Sequence, residues 1–265
     1  MEQVSTQSNQ LRPKIAPIRD LIKSSLSDYR QNWQKFAYLL IIPLLITYLA
    51  SIGSFALSNF ANTSVWPWQL SVAAGVVFLV LIVAFAYLYV LTYISEFLLL
   101  KDLSQEVNFS NLREWYKKAQ PYFWISVAVS LIFTLLAVIG FILVIIPGII
   151  FCIFYGFTIY AVIFEDHKFE GAFGRSRELV RGYWWAVFGR FVGAGAIVYV
   201  AYIIIGGIFA GIIWLIALAL HLQSNEALFK LMYDLLSVFI GLAAGPLSMI
   251  YTYKIFKSLK EVKNT

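Results

Sequence analysis

YFWISVAVSLIFTLLAVIGFILVIIPGIIFCIFYGFTIYAVIF, from Tyr122 to Phe164, holds 43 residues without a single charge. One crossing of a hydrocarbon core about 30 Å thick takes roughly 20 apolar residues. The stretch is too long for one crossing and long enough for two joined by a tight turn. Gly140 and the pair Pro147-Gly148 are its breakers. The spacing predicts one span at 121–140 and a second at 147–164, with Pro147 in the first turn, where its missing N–H costs least.

Working outward, the same reading predicts spans at 36–57, 69–95 and 234–253. The first contains Pro43 and the last contains Gly245-Pro246, both tolerable as kinks. The region from Ala186 to Leu220 is ambiguous, because Gly206-Gly207 lies in its middle and 35 residues would make about 52 Å of helix. Two spans there would put the C-terminal tail outside, with Lys254, Lys257, Lys260 and Lys263. The charge rule therefore selects one span at 187–210, with residues 211–233 at the outer interface or re-entering.

Nineteen of the twenty Lys and Arg residues fall in the polar stretches between these tracts, and only Lys230 stands apart. Short cytoplasmic loops retain positive charge, so the pattern predicts both termini and the segments near 101–121 and 165–186 on the cytoplasmic side. The expected fold is an all-α, six-span bundle with cytoplasmic amphipathic interfacial helices. It divides into an N-terminal arm at 1–35 with its own amphipathic helix, a membrane domain at 36–256 and a tail at 257–265.

A chain that is 61% hydrophobic and 13% charged cannot cover a water-facing surface. The net charge of +6 is explained by loops facing anionic headgroups, so it is not read as a nucleic-acid signal. Cys152 is the single cysteine and has no ligand-type neighbour, so no disulfide, metal or cofactor is expected. The first apolar run is long enough to serve as an uncleaved insertion signal.

Before the first, third and fifth spans the chain mixes bulky apolar residues with bases and ends in aromatics at the membrane entry. Three copies of one unit would produce this, and so would ordinary interfacial composition. In the last of these segments Ala172, Phe173, Ser176, Leu179 and Val180 share one helical face. The expectation is a helix lying on the inner leaflet, with Lys168, Arg175, Arg177 and Arg181 as a basic patch for lipid headgroups or a partner.

No HExxH, GxSxG, Walker or Rossmann pattern occurs, and the central spans carry no ionisable residue. Glu96, Arg190 and Asp234 are placed near span ends, where snorkelling or headgroup contact accounts for them. The chain is therefore read as no enzyme. Three GxxxG matches, Gly189/Gly193, Gly207/Gly211 and Gly241/Gly245, point to close packing of the fifth span on the sixth, with homo-oligomerisation as the alternative.

Ile145-Ile146-Pro147-Gly148-Ile149-Ile150, then Glu165, Ala172, Ser176, Leu179, Gly182 and Trp185, and finally Gly245-Pro246-Leu247 with Tyr251 form a recognisable pattern. It resembles the membrane domain of bacterial glycerophosphodiester phosphodiesterases and related six-span inner-membrane proteins. The resemblance implies a bacterial plasma-membrane location and no activity of its own, since the phosphodiesterase domain and its catalytic residues have no counterpart here. The leading functional expectation is a membrane scaffold or accessory protein that contacts lipid or a membrane partner. The alternative is a transporter, channel or lipid-translocating protein, which a water-accessible groove between spans would favour.

A cysteine introduced at Lys260, after Cys152→Ser, should resist a membrane-impermeant thiol reagent in intact cells and react once the cells are opened. Labelling from outside would reverse the tail and refute the six-span arrangement.

Overall fold

Apolar side chains in lipid leave the backbone no partner except itself, so helices are the expected outcome of this composition. The computed structural model describes residues 15–61, 68–103, 111–219 and 226–264, and every regular element among them is helical. In chain order these are α1 (Ile18–Ala61), α2 (Trp68–Leu103), α3 (Leu112–Ala119), α4 (Phe123–Leu143) and α5 (Ile145–Tyr155). They continue with α6 (Thr158–Glu165), α7 (Phe169–Val180), α8 (Trp184–Ala219) and α9 (Glu226–Asn264). Five described segments are long and apolar enough to cross a membrane: Ile18–Ala50, Gly75–Leu103, Arg113–Ile142, Ile145–Glu165 and Trp184–Ile216.

Two expectations about continuity are corrected. The N-terminal arm does not carry a separate surface helix, because its residues from Ile18 onward are the first part of α1, which runs 44 residues without a break. Residues 1–14 lie outside the described ones. Likewise the span expected to end at 210 does not end there: α8 passes through Gly206-Gly207 and on as one helix of 36 residues, about 54 Å. Residues up to 219 therefore extend the same helix, while 220–225 lie outside the described residues.

The charge-free stretch folds as a hairpin at Val144, whose extended backbone (φ −162°, ψ 142°) ends α4 and begins α5. Pro147 lies in the first turn of α5, as its missing N–H demands. The closest approach crosses this turn. A Cβ on Gly140 would lie 2.9 Å from the Cα of Gly148, and one on Gly148 would lie 2.9 Å from the backbone nitrogen of Phe141. Both neighbours are backbone, so neither can swing aside.

Between α5 and α6 the returning helix is interrupted at Gly156-Phe157. Ser176 of α7 repairs the interruption: its hydroxyl donates to the carbonyl of Phe154 at 2.7 Å and accepts from the Phe157 N–H at 3.2 Å. Thr158 covers the next free carbonyl by donating to Tyr155 at 2.7 Å. Helix α7 thereby packs into the bundle against α5, α6 and α9, with Ala172, Ser176, Leu179 and Val180 buried and Phe173 partly so. Burying Leu179 and Val180 stabilises this docking by roughly 1.5–3 kcal/mol each. Gly182, at φ +88°, supplies the left-handed turn from α7 into α8.

The described parts of all four basic stretches meet at one end of the bundle. Lys254 of α9 pairs with Asp28 of α1 at 2.7 Å, and Lys101 of α2 donates to the carbonyl of Ile163 at 2.7 Å. Lys263 donates to the carbonyl of Arg181 at 2.9 Å. Beneath them a core forms around Phe36, Phe97, Trp115, Phe157, Ile250 and Leu259.

The GxxxG expectation is corrected for most of its residues. Among the described residues a Cβ at Gly189, Gly207, Gly211 or Gly245 would meet nothing within 4 Å, so none of these brings a described helix close. Gly193 lies against α1, with the tip of Ile18 3.0 Å from where a Cβ would stand. The packing of Gly241 lies outside the described residues. The long apolar face of α8 is exposed instead, as a lipid-facing surface would be.

Gly148→Ala should lower stability in detergent by about 1–3 kcal/mol, the usual cost of forcing a methyl into a closed contact. Gly207→Ala should be neutral or slightly stabilising, since it faces open space and gains helix propensity. Thermal unfolding of both variants checks this, and equal effects would refute the hairpin contact.

Candidate functional site

In α2 the residues Tyr89, Thr92, Tyr93 and Glu96 recur at the i, i+3, i+4, i+7 spacing of one helical face. In α9 the residues Gly245, Ser248, Met249 and Thr252 do the same. The bundle turns both stripes toward one cavity of about 550 Å³, closed further by Cys152 and Gly156 of α5 and its end, Tyr160 of α6, Phe191 of α8 and Pro43 of α1. That volume lies within the range of small-molecule sites. Tyr89 and Tyr93 are the exposed part of its wall, at 58% and 44%.

Among the described residues Glu96 is the one charged group lining the cavity, and it is only 6% exposed. The expectation that it reaches headgroups from a span end is therefore corrected. It stands five residues, about 7.5 Å of helix, before Lys101 and points into the bundle. Among the described residues it makes no hydrogen bond or ion pair. A buried carboxylate without a partner is costly.

Four hydroxyls of the cavity wall share a polarity. Tyr160 donates to the carbonyl of Met249 at 3.1 Å, Ser248 to Gly245 at 2.7 Å and Thr252 to Ser248 at 2.8 Å. Thr92 donates to Leu88 at 2.9 Å and shares a 2.7 Å contact with the Tyr116 hydroxyl. Their protons are spent on backbone carbonyls, which leaves acceptor lone pairs.

Arg190, also expected to snorkel, is instead a backbone clamp. Its guanidinium donates to the carbonyls of Ile15 (2.6 Å), Ala16 (2.9 Å) and Ala186 (2.7 Å). The segment it holds is held again by Ser258, which accepts from the Ala16 N–H at 3.1 Å, while Tyr251 donates to the Arg190 carbonyl at 3.0 Å. Arg190 thus meets neither Glu96 nor Glu165.

Glu165, at the end of α6, gathers the charges at the basic end. Arg175 grips it with Nε at 2.8 Å and Nη2 at 3.4 Å, Lys260 lies at 2.9 Å and His167 at 3.4 Å. Arg175 also donates to Glu178 at 3.1 Å. These carboxylates, Glu165 first, hold the Arg175 guanidinium even more firmly protonated than usual. Of the predicted basic patch, Arg175 is accordingly turned into the bundle, whereas Lys168, Arg177 and Arg181 are exposed. Among the described residues no group of three or more His, Cys, Asp or Glu side chains could hold a metal ion.

A family model described as a domain of unknown function (DUF7847) matches residues 122–253. The match contains the hairpin, the Ser176 bridge, Glu165, Arg190 and the α9 stripe, and it excludes Glu96 and the α2 stripe. No curated protein and no solved structure matches the chain.

Sequence reasoning missed the cavity because it searched the spans for charge alone. The readable signal was the pair of polar stripes at helical spacing within otherwise apolar helices.

Glu165→Gln should lower stability by about 2 kcal/mol, the order of a charged hydrogen bond lost, because Arg175 and Lys260 then face each other without a carboxylate. Glu178→Gln, whose side chain is 65% exposed, should change it little. Unfolding followed in the same detergent separates the two.

Proposed function

We propose that this chain is a six-span protein of a bacterial plasma membrane, with both termini cytoplasmic, that binds a small molecule inside its bundle. The class this supports is a transporter or lipid-translocating protein. The observation that carries it is the cavity of about 550 Å³ between α1, α2, α5, α6, α8 and α9, with its unpartnered buried carboxylate. Charge inside a membrane bundle is tolerated mainly where it contacts a substrate or ion path. The other buried or half-buried ions, Arg190, Arg175 and Glu165, are already consumed in structural contacts. That distribution favours a binding role over catalysis. The resemblance to the phosphodiesterase membrane domain and the concentration of bases at one end support the location and orientation.

The second reading, a scaffold that contacts anionic lipid or a partner, is favoured by the exposed Lys168, Arg177 and Arg181 beside the tail lysines.

Cys152 lines the cavity and is the sole thiol, so it reports on the cavity directly. In native membranes a small neutral thiol reagent should modify it, and Ser248→Trp should slow that reaction by about tenfold or more by filling the space. A thiol that reacts only after unfolding would refute a ligand-accessible cavity and leave the scaffold reading.

A further inference from the structure

Resting on that reading of the cavity, we infer that its ligand is an organic cation: an ammonium carried on an apolar body, with the charged nitrogen placed at Glu96. Four observations converge. Glu96 is 6% exposed, lines the cavity and has no partner among the described residues. No Lys, Arg or His among the described residues lines the cavity, so an anionic headgroup or phosphate would meet only repulsion. The hydroxyls of Tyr160, Ser248 and Thr252 donate to backbone carbonyls and so keep acceptor capacity, which suits a ligand that brings its own N–H donors. Finally, the rings of Tyr89, Tyr93 and Tyr160 line the same volume, and aromatic faces attract a desolvated cation. The apolar remainder of the wall, including Phe191 and Pro43, fits a hydrocarbon or aryl body.

The site therefore reads as a carboxylate with an aromatic surround, selecting charge through Glu96 and shape through the rings. A cation is the ligand that stabilises the ionised form of this buried carboxyl, whereas a neutral ligand offers it no counter-charge and an anion would oppose its ionisation.

The test uses the full-length protein in native membranes, with Cys152 as reporter. Three methanethiosulfonates of similar size are compared, bearing an aminoethyl cation, a sulfonatoethyl anion and a neutral methyl, each rate divided by its rate with a free thiol. The cation should outpace the anion by about tenfold or more, since in a medium of reduced dielectric a cation is stabilised by the ionised Glu96 carboxylate and an anion is opposed by it. Glu96→Gln should bring the two within about twofold while leaving the neutral rate unchanged, which shows that the cavity is still formed. In the wild type, 4-phenylbutylammonium should protect Cys152 from the neutral reagent, whereas the isosteric 4-phenylbutanol and 4-phenylbutanoate should protect far less. Glu96→Gln should abolish the difference between ammonium and alcohol.

Equal cation and anion rates with ready neutral labelling would overturn the cation inference while the accessible cavity stands. Failure of all three reagents would overturn the cavity reading and this inference with it. If Glu96→Gln fails to fold, the comparison of ammonium, alcohol and carboxylate on the wild type decides alone. Equal protection by the three would then refute the proposal.

Discussion

The hydroxyl of Ser176, set between the carbonyl of Phe154 and the N–H of Phe157, is the contact on which the rest of the arrangement depends. An apolar surrounding offers a broken helix no water, so each freed backbone group costs free energy until a side chain reaches it. Once α5 and α6 are interrupted at Gly156-Phe157, something must cover the gap, and Ser176 of α7 does so from outside the broken helix, beside the local bond of Thr158. Its docking carries Arg175 onto Glu165, and Glu165 in turn receives Lys260 from α9. The interruption itself places Gly156 and Tyr160 on the wall of the cavity. One serine thus links the hairpin, the charged end and the interior space.

Much of the architecture was legible because hydrophobic length and charge position report directly on lipid and water. The hairpin in 122–164, the role of Pro147 and the shared face of Ala172, Ser176, Leu179 and Val180 were all visible as patterns. What that face packs against was not, since an amphipathic helix looks the same whether it covers lipid or protein. Where a helix ends was also less legible: α8 was expected to stop at 210 and runs to Ala219, because among apolar side chains a backbone freed at Gly206-Gly207 would cost more than glycine's entropy gains.

The glycines mark a different limit. A search for small residues four apart inspects one helix at a time, whereas the tight contact joins Gly140 to Gly148 across a turn. The ionisable residues show the same blindness to partners. Glu96 and Arg190 were both placed near span ends, but one faces the cavity and the other finds three carbonyls. Sequence position alone cannot distinguish them, because the distinguishing groups lie on other helices.

The Arg190 clamp also constrains the order in which the molecule can be completed. Residues 15 and 16 lie near the start of the chain, yet the guanidinium that secures them comes some 175 positions later and Ser258 some 242 later. Until α8 and then α9 have been synthesised, the entry to α1 has neither contact. The start of α1 can pack on α2 early, but the contacts that fix its entry segment must wait for sequence from the far end of the chain. Truncations that remove α9 would therefore cost the first helix one of its fastenings as well as the last.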